Sequence, residues 1–263
     1  MAPGVGSLAG VLILAVVRRL LSGLLGHLRR LQLAVWAARA KTRMKWVGIR
    51  LRVETGEGVV FVRNPFLLAG VEPPGTPGSL VVRLGDRVRF APGVIIEAEP
   101  GKHSVLEIGN GTRIGASTHF HLRGGSIRIG DASEIRDGCV LKTSGGDIEL
   151  DDRCFMSYGC VLHASERIVM EERVAIGERV TIVDSGHDTD GSDVHWAVQG
   201  VPTEPVVIGA NTLAFANAVI TMGAQVGANS QVAAGALVRG GDHPDGVLLA
   251  GVPAEVVKLL GDD

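Results

Sequence analysis

The sequence predicts a parallel β-helix, and three observations carry that reading. A six-residue pattern (aliphatic, small, two free positions, small, free) repeats from about Leu84 to Val238. Its openers are Leu84, Phe90, Ile96, Ile108, Ile114, Phe120, Ile129, Ile135, Leu141, Leu150, Met156, Leu162, Met170, Ile176, Ile182, Ile208, Ile220, Val226 and Val232. The fifth position is nearly always compact, as at Val88, Thr112, Ser133, Cys154, Val174, Thr212, Ala224 and Ser230. A large opener and a small fifth residue describe short strands that bend at a corner and stack on the coil below. Third, openers recur at coil spacing (Ile108, Ile129, Leu150, Met170; Ile208, Val226), so three hexads close one coil. Strands about 4.8 Å apart and about seven coils give a prism on the order of 34 Å tall. A helical alternative fails, because many of the 37 glycines occupy the second hexad position, and each costs about 1 kcal/mol against Ala inside a helix. The periodicity is silent on handedness.

Composition agrees. With 263 residues, 46% hydrophobic and 21% charged, the chain is long enough for a full core and is not compositionally disordered. Aromatics at 4% suit a core of stacked aliphatic ladders. The three cysteines all fall at fifth hexad positions, which makes them small core residues rather than a disulfide framework or a metal site, and points to a reducing compartment.

The net charge of −2 conceals an asymmetry: residues 1–53 carry ten Lys and Arg and no acid, and the acids begin at Glu54. Within residues 1–46, Leu21, Leu24, Leu25, Leu28 and Leu31 recur at helical spacing, with Arg18, Arg19, Ser22, Arg29 and Arg30 on the other side. The uncharged run Leu8–Val17 is shorter than the roughly 20 residues a membrane span needs. A secretory signal matches poorly, since the basic residues follow the apolar run. The segment is therefore expected to be an interfacial amphipathic anchor at the inner face of a membrane, on a cytoplasmic protein, or else a helix packed on the solenoid or a neighbouring subunit. Residues 47–83, with Val59-Val60-Phe61-Val62 and the turn signals Arg63-Asn64-Pro65 and Pro73-Pro74-Gly75, are expected to form irregular strands capping the solenoid. Residues 84–252 are the β-helix proper, and residues 253–263 are expected to form a short helix with Pro253 near its start.

The repeat is interrupted once. Between Ile182 and Ile208 the chain leaves the coil for a loop (183–206) carrying Asp184, Ser185, Gly186, His187, Asp188, His195 and Trp196. A long polar and aromatic loop on a rigid scaffold is where binding or catalysis is expected. It leaves from the same corner as the short insertions after Phe120, Leu141 and Leu162.

With its hexads, its Ser185-Gly186-His187, the restart Ile208-Gly209-Ala210-Asn211 and the closing Ala250-Gly251-Val252-Pro253-Ala254, the chain resembles the hexapeptide-repeat acyltransferases over about residues 84–258. Within them it is similar to galactoside, maltose and polysaccharide O-acetyltransferases. The resemblance implies a left-handed parallel β-helix, an exception to the right-handed crossover rule. It further implies a homotrimer with sites between neighbouring prisms, and acyl-CoA, usually acetyl-CoA, as donor. His187 matches the family's catalytic histidine. An imidazole with pKa near 6.5 suits removal of a proton from an acceptor hydroxyl as it attacks the thioester. Asp184 or Asp188, or a backbone carbonyl, would orient the ring. His195 and Trp196 would line the acceptor side or seal the loop. The match puts Ser157 where sugar-acetylating relatives carry Asn, and Ser165 where they carry an acid. Ala216 and Ala234 match positions whose backbone contacts the pantetheine arm, and Arg239 and Lys258 match the basic region receiving the nucleotide phosphates. Arg239-Gly240 replaces the usual Thr-Lys, Leu213 a Trp and Phe215 a Gly, which leaves the acyl group open.

The function expected is CoA-dependent transfer of an acyl group to a hydroxyl of a sugar, glycan or glycolipid. N-acylation of an amino sugar or amino acid is the alternative, followed by a non-catalytic β-helix assembly module. No nucleic-acid partner is expected. A zinc enzyme of the γ-carbonic anhydrase type is disfavoured, because His121 and His163, with Lys142 between them, and the His187–His195 spacing make no evident zinc site; no metal is expected.

Overall fold

The computed structural model describes residues 8–70 and 77–261, with the side chains of residues 8–23 and 25 excepted. It is a three-sided parallel β-solenoid of about eight coils preceded by one long helix, α1 (Leu8–Trp46). The faces are sheet A, nine strands from Ile49–Thr55 to Gly241–His243; sheet B, ten strands from Val60–Phe61 to Ala254–Leu259; and sheet C, eight strands from Phe66–Ala69 to Leu237–Val238.

Every hexad opener named above is at most 4% exposed, and the fifth-position residues are at most 1% exposed. Openers stack on openers from coil to coil, as in Phe90 on Ile114 and Leu141 on Leu162. The second position is small for a different reason. A Cβ on Gly130 would lie 2.6 Å from the carbonyl carbon of Asp151 in the next coil, so backbone passes directly over backbone. The fourth position, read as free from sequence, is not free: Arg87, Ala132, Arg153 and Asn211 all sit there at φ of 53° to 60°. Each A–B and B–C corner between Leu84 and Leu237 holds one left-handed residue, a conformation costing roughly 1–2 kcal/mol for most side chains.

Two expectations are corrected. Residues 47–83 do not cap the solenoid: Ile49–Ala69 form its first coil and Gly78 onward begins its second. Ile49–Thr55, Val60–Phe61 and Phe66–Ala69 pair in parallel with Gly78–Leu84, Arg89–Phe90 and Ile95–Ala98. The long C–A turn after Ala69 disguised the period; the Pro73-Pro74-Gly75 signal within it lies outside the described residues. The cap is the C-terminal half of α1, where Trp36, Ala40 and Met44 are buried on that coil. Trp36 packs edge-on against Phe61 at 5.1 Å and donates its indole N–H to the Pro65 carbonyl at 3.0 Å.

The second correction is at the other end. Residues 253–263 do not form the expected helix: Ala254–Leu259 is a strand, antiparallel to Val247–Gly251. A helix there would leave the last edge of sheet B unpaired, whereas the β-branched Val256 and Val257 favour the strand that closes it.

The three thiols confirm their structural role. Cys139, Cys154 and Cys160 are buried and donate to the backbone carbonyls of Ser157, Glu171 and Gly177. Burial pushes the Cys154 thiol up to about 12.

Candidate active site

Between Leu84 and Leu237 the turns vary in length only on the edge where sheet C passes to sheet A. Most of its turns hold two to four residues, but between Thr181–Val183 and Val206–Ile208 the chain runs out through residues 184–205 and back. The base of this arm is zipped. Glu204 N–H donates to Asp184 O, Gly186 N–H to Pro202 O and Asp188 N–H to Gly200 O, around a Ser185–Thr203 antiparallel bridge. The arm is thus a built hairpin on a rigid column. Its tip is ordered by Gln199, which accepts from Asp190 N–H at 2.7 Å and donates to Val194 O at 2.5 Å.

His187 stands exposed on this arm. The His187 ring and the Trp196 indole meet edge-on, with centroids 4.7 Å apart at 81°, and His195 stacks on Trp196 at 5.2 Å. His195 Nδ1 accepts from Ala197 N–H, capping the short 3-10 turn Trp196–Val198 that holds the indole. Trp196 thus packs directly on the His187 ring, and His195 packs on Trp196.

Of the two carboxylates expected to orient that ring, Asp184 is committed elsewhere. It is fully buried, and its oxygens accept from the backbone N–H groups of Ser165 at 2.7 Å and Glu166 at 2.8 Å. Its work is to tie the corner from which the arm departs to the coil below. Asp188 is exposed beside Gly200. Among the described residues, neither carboxylate hydrogen-bonds to the His187 ring.

The remaining site residues divide between two edges. Ser165 lies under the arm, its hydroxyl donating to Ser185 Oγ at 3.1 Å, while neighbouring Glu166 accepts from Thr203 at 2.7 Å and pins the neck. Arg239 is exposed on this same C–A edge, in the turn after Leu237–Val238. Ser157, Ala216 and Ala234 stack instead along the edge between sheets B and C. Lys258 is exposed on the terminal strand of sheet B. Sheet C separates these edges, so one prism does not bring Ser157, Ala216 or Ala234 to His187.

Two acids join groupings that the sequence showed only in part. Ser157 is buried, and its hydroxyl donates to Glu178 Oε1 at 2.9 Å, placing an acid one coil above on the B–C edge. Backbone and Ser157 hydrogen bonds hold the Glu178 carboxyl below the usual carboxylate range. The outer face of sheet C also carries a ladder of titratable groups, Glu97, His121, Lys142 and His163, in direct register. Burial, with Lys142 beside it, lowers the His163 pKa.

No protein-family model matches the chain. A 2,3,4,5-tetrahydropyridine-2,6-dicarboxylate N-acetyltransferase of Staphylococcus aureus is 38% identical over 76 residues, 29% of this chain and 31% of that protein. The chain thus aligns with about a third of that relative's length. Among solved structures, an Arabidopsis UDP-N-acetylglucosamine acyltransferase superposes with TM-score 0.54 at 17% identity, covering 81% of this chain and 73% of that one. The Bacillus cereus N-acyltransferase AntD, as a point mutant in complex with dTDP and coenzyme A, gives 0.51 at 19% identity, covering 59% and 84%. At these identities the likeness is one of fold: the chain shares the β-solenoid of these acyltransferases and resembles the hexapeptide-repeat family in the coils that carry its motifs.

Proposed function

We propose that this protein is a CoA-dependent acyltransferase, with a sugar, glycan or glycolipid hydroxyl as acceptor and His187 as general base. The observation that carries the reading is the arm itself: residues 184–205 leave the solenoid as a hairpin that holds an exposed imidazole against an indole fixed by its own capping histidine. In the reaction, a ring nitrogen of His187 takes the acceptor proton as the oxygen attacks the thioester carbonyl. Collapse of the tetrahedral intermediate expels the CoA thiolate, which receives that proton from the imidazolium. Most of the rate would come from holding donor and acceptor together.

The division of residues between two edges supports a homotrimer. A neighbouring prism docked with its B–C edge beside the arm would bring Ser157, Glu178, Ala216 and Ala234 to His187, with Arg239 and Lys258 receiving the CoA phosphates. Val194, Val198 and Val201, all exposed on the arm, would be covered by that contact. Light scattering should report three chains per particle; a monomer that turns over at full rate would refute the shared site.

Helix α1 supports a membrane-surface location. Opposite the buried Trp36–Ala40–Met44 face, a second apolar stripe of Leu24, Leu28, Leu31, Val35 and Trp46 is exposed, with Arg39, Arg43 and Lys45 flanking it. The side chains of Arg18, Arg19, Leu21, Ser22 and Leu25 lie outside the described residues. Among the described residues, no helix is long and apolar enough to cross a membrane. Flotation with anionic vesicles should carry the protein, and Leu24→Gln/Leu28→Gln/Leu31→Gln should stay behind; equal flotation of both would contradict the anchor. These substitutions spare the buried cap, which deletion of residues 1–45 would destroy.

The N-acyl alternative is supported by the naming of the staphylococcal relative and AntD as N-acyltransferases. A screen of acyl-CoA donors against hydroxyl and amino acceptors, followed by thiol release, separates the readings. Ester products are cleaved by hydroxylamine and amides are not. Absence of both CoA binding and thiol release would leave the assembly-module reading.

A further inference from the structure

We propose that Glu97, His119 and His121 form a zinc site on the outer face of sheet C, separate from the acyl-transfer site. His119 and His121 are two apart on the strand His119–Leu122, so both project from the same face. Glu97 comes from the strand Ile95–Ala98 beneath, where it is the register partner of His121. Their ligand atoms lie within 4.8 Å of one another.

The geometry is that of a pre-formed ligand set. His119 Nε2 is 3.0 Å from Glu97 Oε2, and His121 Nε2 is 3.6 Å from Glu97 Oε1. The two imidazoles are parallel within 8° with centroids 5.4 Å apart, so both Nε2 atoms address one carboxylate. Two donors on a tetrahedral zinc with bonds of about 2.0–2.2 Å lie roughly 3.3–3.6 Å apart, so rotation about the terminal torsions would close the site. An ordinary His–Glu ion pair needs one imidazole; here two converge. Two imidazoles and a carboxylate suit zinc, with water as a fourth ligand.

Neighbouring cations oppose the site and make the proposal sharper. Arg123 donates Nε–H to His121 Nε2 at 3.1 Å and also approaches Glu99 at 3.3 Å. Zinc must displace the first contact, leaving Arg123 on Glu99. Lys142, the next rung up, adds positive charge. The cluster lies three strands from the strand that launches the arm, roughly 14 Å at the usual spacing. Its effect is therefore to bind one coil to the next, stabilising the fold by mass action when zinc is present.

The test is equilibrium dialysis of the full chain against zinc with elemental analysis, with cobalt as the spectroscopic probe. The wild type should hold one zinc per chain, show a higher Tm with zinc, and give the visible absorption of four-coordinate Co²⁺. His119→Ala/His121→Ala and Glu97→Gln should lose the metal and the thermal shift while keeping the fold by circular dichroism. His187→Ala/His195→Ala should keep the metal. Arg123→Gln should bind zinc more tightly. No zinc on the wild type, zinc retained by His119→Ala/His121→Ala, zinc lost from His187→Ala/His195→Ala, or weaker binding by Arg123→Gln would each overturn the proposal.

Discussion

Between Leu84 and Leu237, each turn on the A–B and B–C edges holds four residues, with a left-handed residue in the same place. On the C–A edge, turns range from two residues to the arm of residues 184–205. The uniform edges are fixed by contact from turn to turn: the left-handed residue donates its backbone N–H to the turn below, as Ala132 to Asn110 O on the A–B edge and Gly138 to Ala116 O on the B–C edge, and on part of the A–B edge Asn110 and Asp131 also accept a backbone N–H from the coil below. A change in length there would break the ladder in both directions. Among the described residues no one bond recurs through all the C–A turns, and they can grow. Function is read where repetition is not enforced.

That contrast is open to attack by substitution, starting with the core both kinds of edge share. Leu141→Ala removes a fully buried opener and should cost about 2–5 kcal/mol, read from the urea midpoint; a loss below 1 kcal/mol would mean the ladder repacks freely. Asp184→Ala strips two charge-assisted hydrogen bonds from the root of the arm and should cost about 1.5–3 kcal/mol, with faster proteolysis within residues 184–205. Asp188→Ala, on the exposed arm, should stay within about 0.5 kcal/mol of wild type, and a larger cost than Asp184→Ala would reverse the assignment of the two carboxylates. Ala132→Gly relieves a left-handed alanine at φ 53° and should stabilise by up to about 1 kcal/mol.

A smaller effect is expected from pH. His163 has its pKa lowered in the fold, first by burial and then by Lys142. The unfolded chain therefore binds its proton more readily, and stability should fall as pH drops from about 6.5 through the depressed folded value. In His163→Gln this acid-side slope should shrink; an unchanged slope would place the titration elsewhere.

The repeat was legible because its cause is local: an opener such as Leu141 and a fifth residue such as Cys139 are large and small for reasons set within one hexad. The interruption was legible as a failure of that same pattern, and it placed His187, His195 and Trp196 on one arm. What the sequence hid depends on register between coils. Glu178 meets Ser157, and Glu97 meets His119, across 21 and 22 residues. Asp184 looked like a partner for His187 because it is close in sequence, but the amides of Ser165 and Glu166 hold it from the coil below. The ends were misread for the same reason. Pairing across coils turned residues 49–69 into the first coil and 254–259 into a strand, against their local turn and proline signals.

The most direct measurement is the rate of thiol release from acyl-CoA by His187→Ala beside wild type, using the acceptor found in the screen and unfolding curves for both proteins. The account predicts a fall on the order of 10²–10⁴-fold with an unchanged melting temperature, as expected for loss of a general base from an exposed arm. A His187→Ala protein that folds normally and transfers the acyl group at the wild-type rate would contradict it.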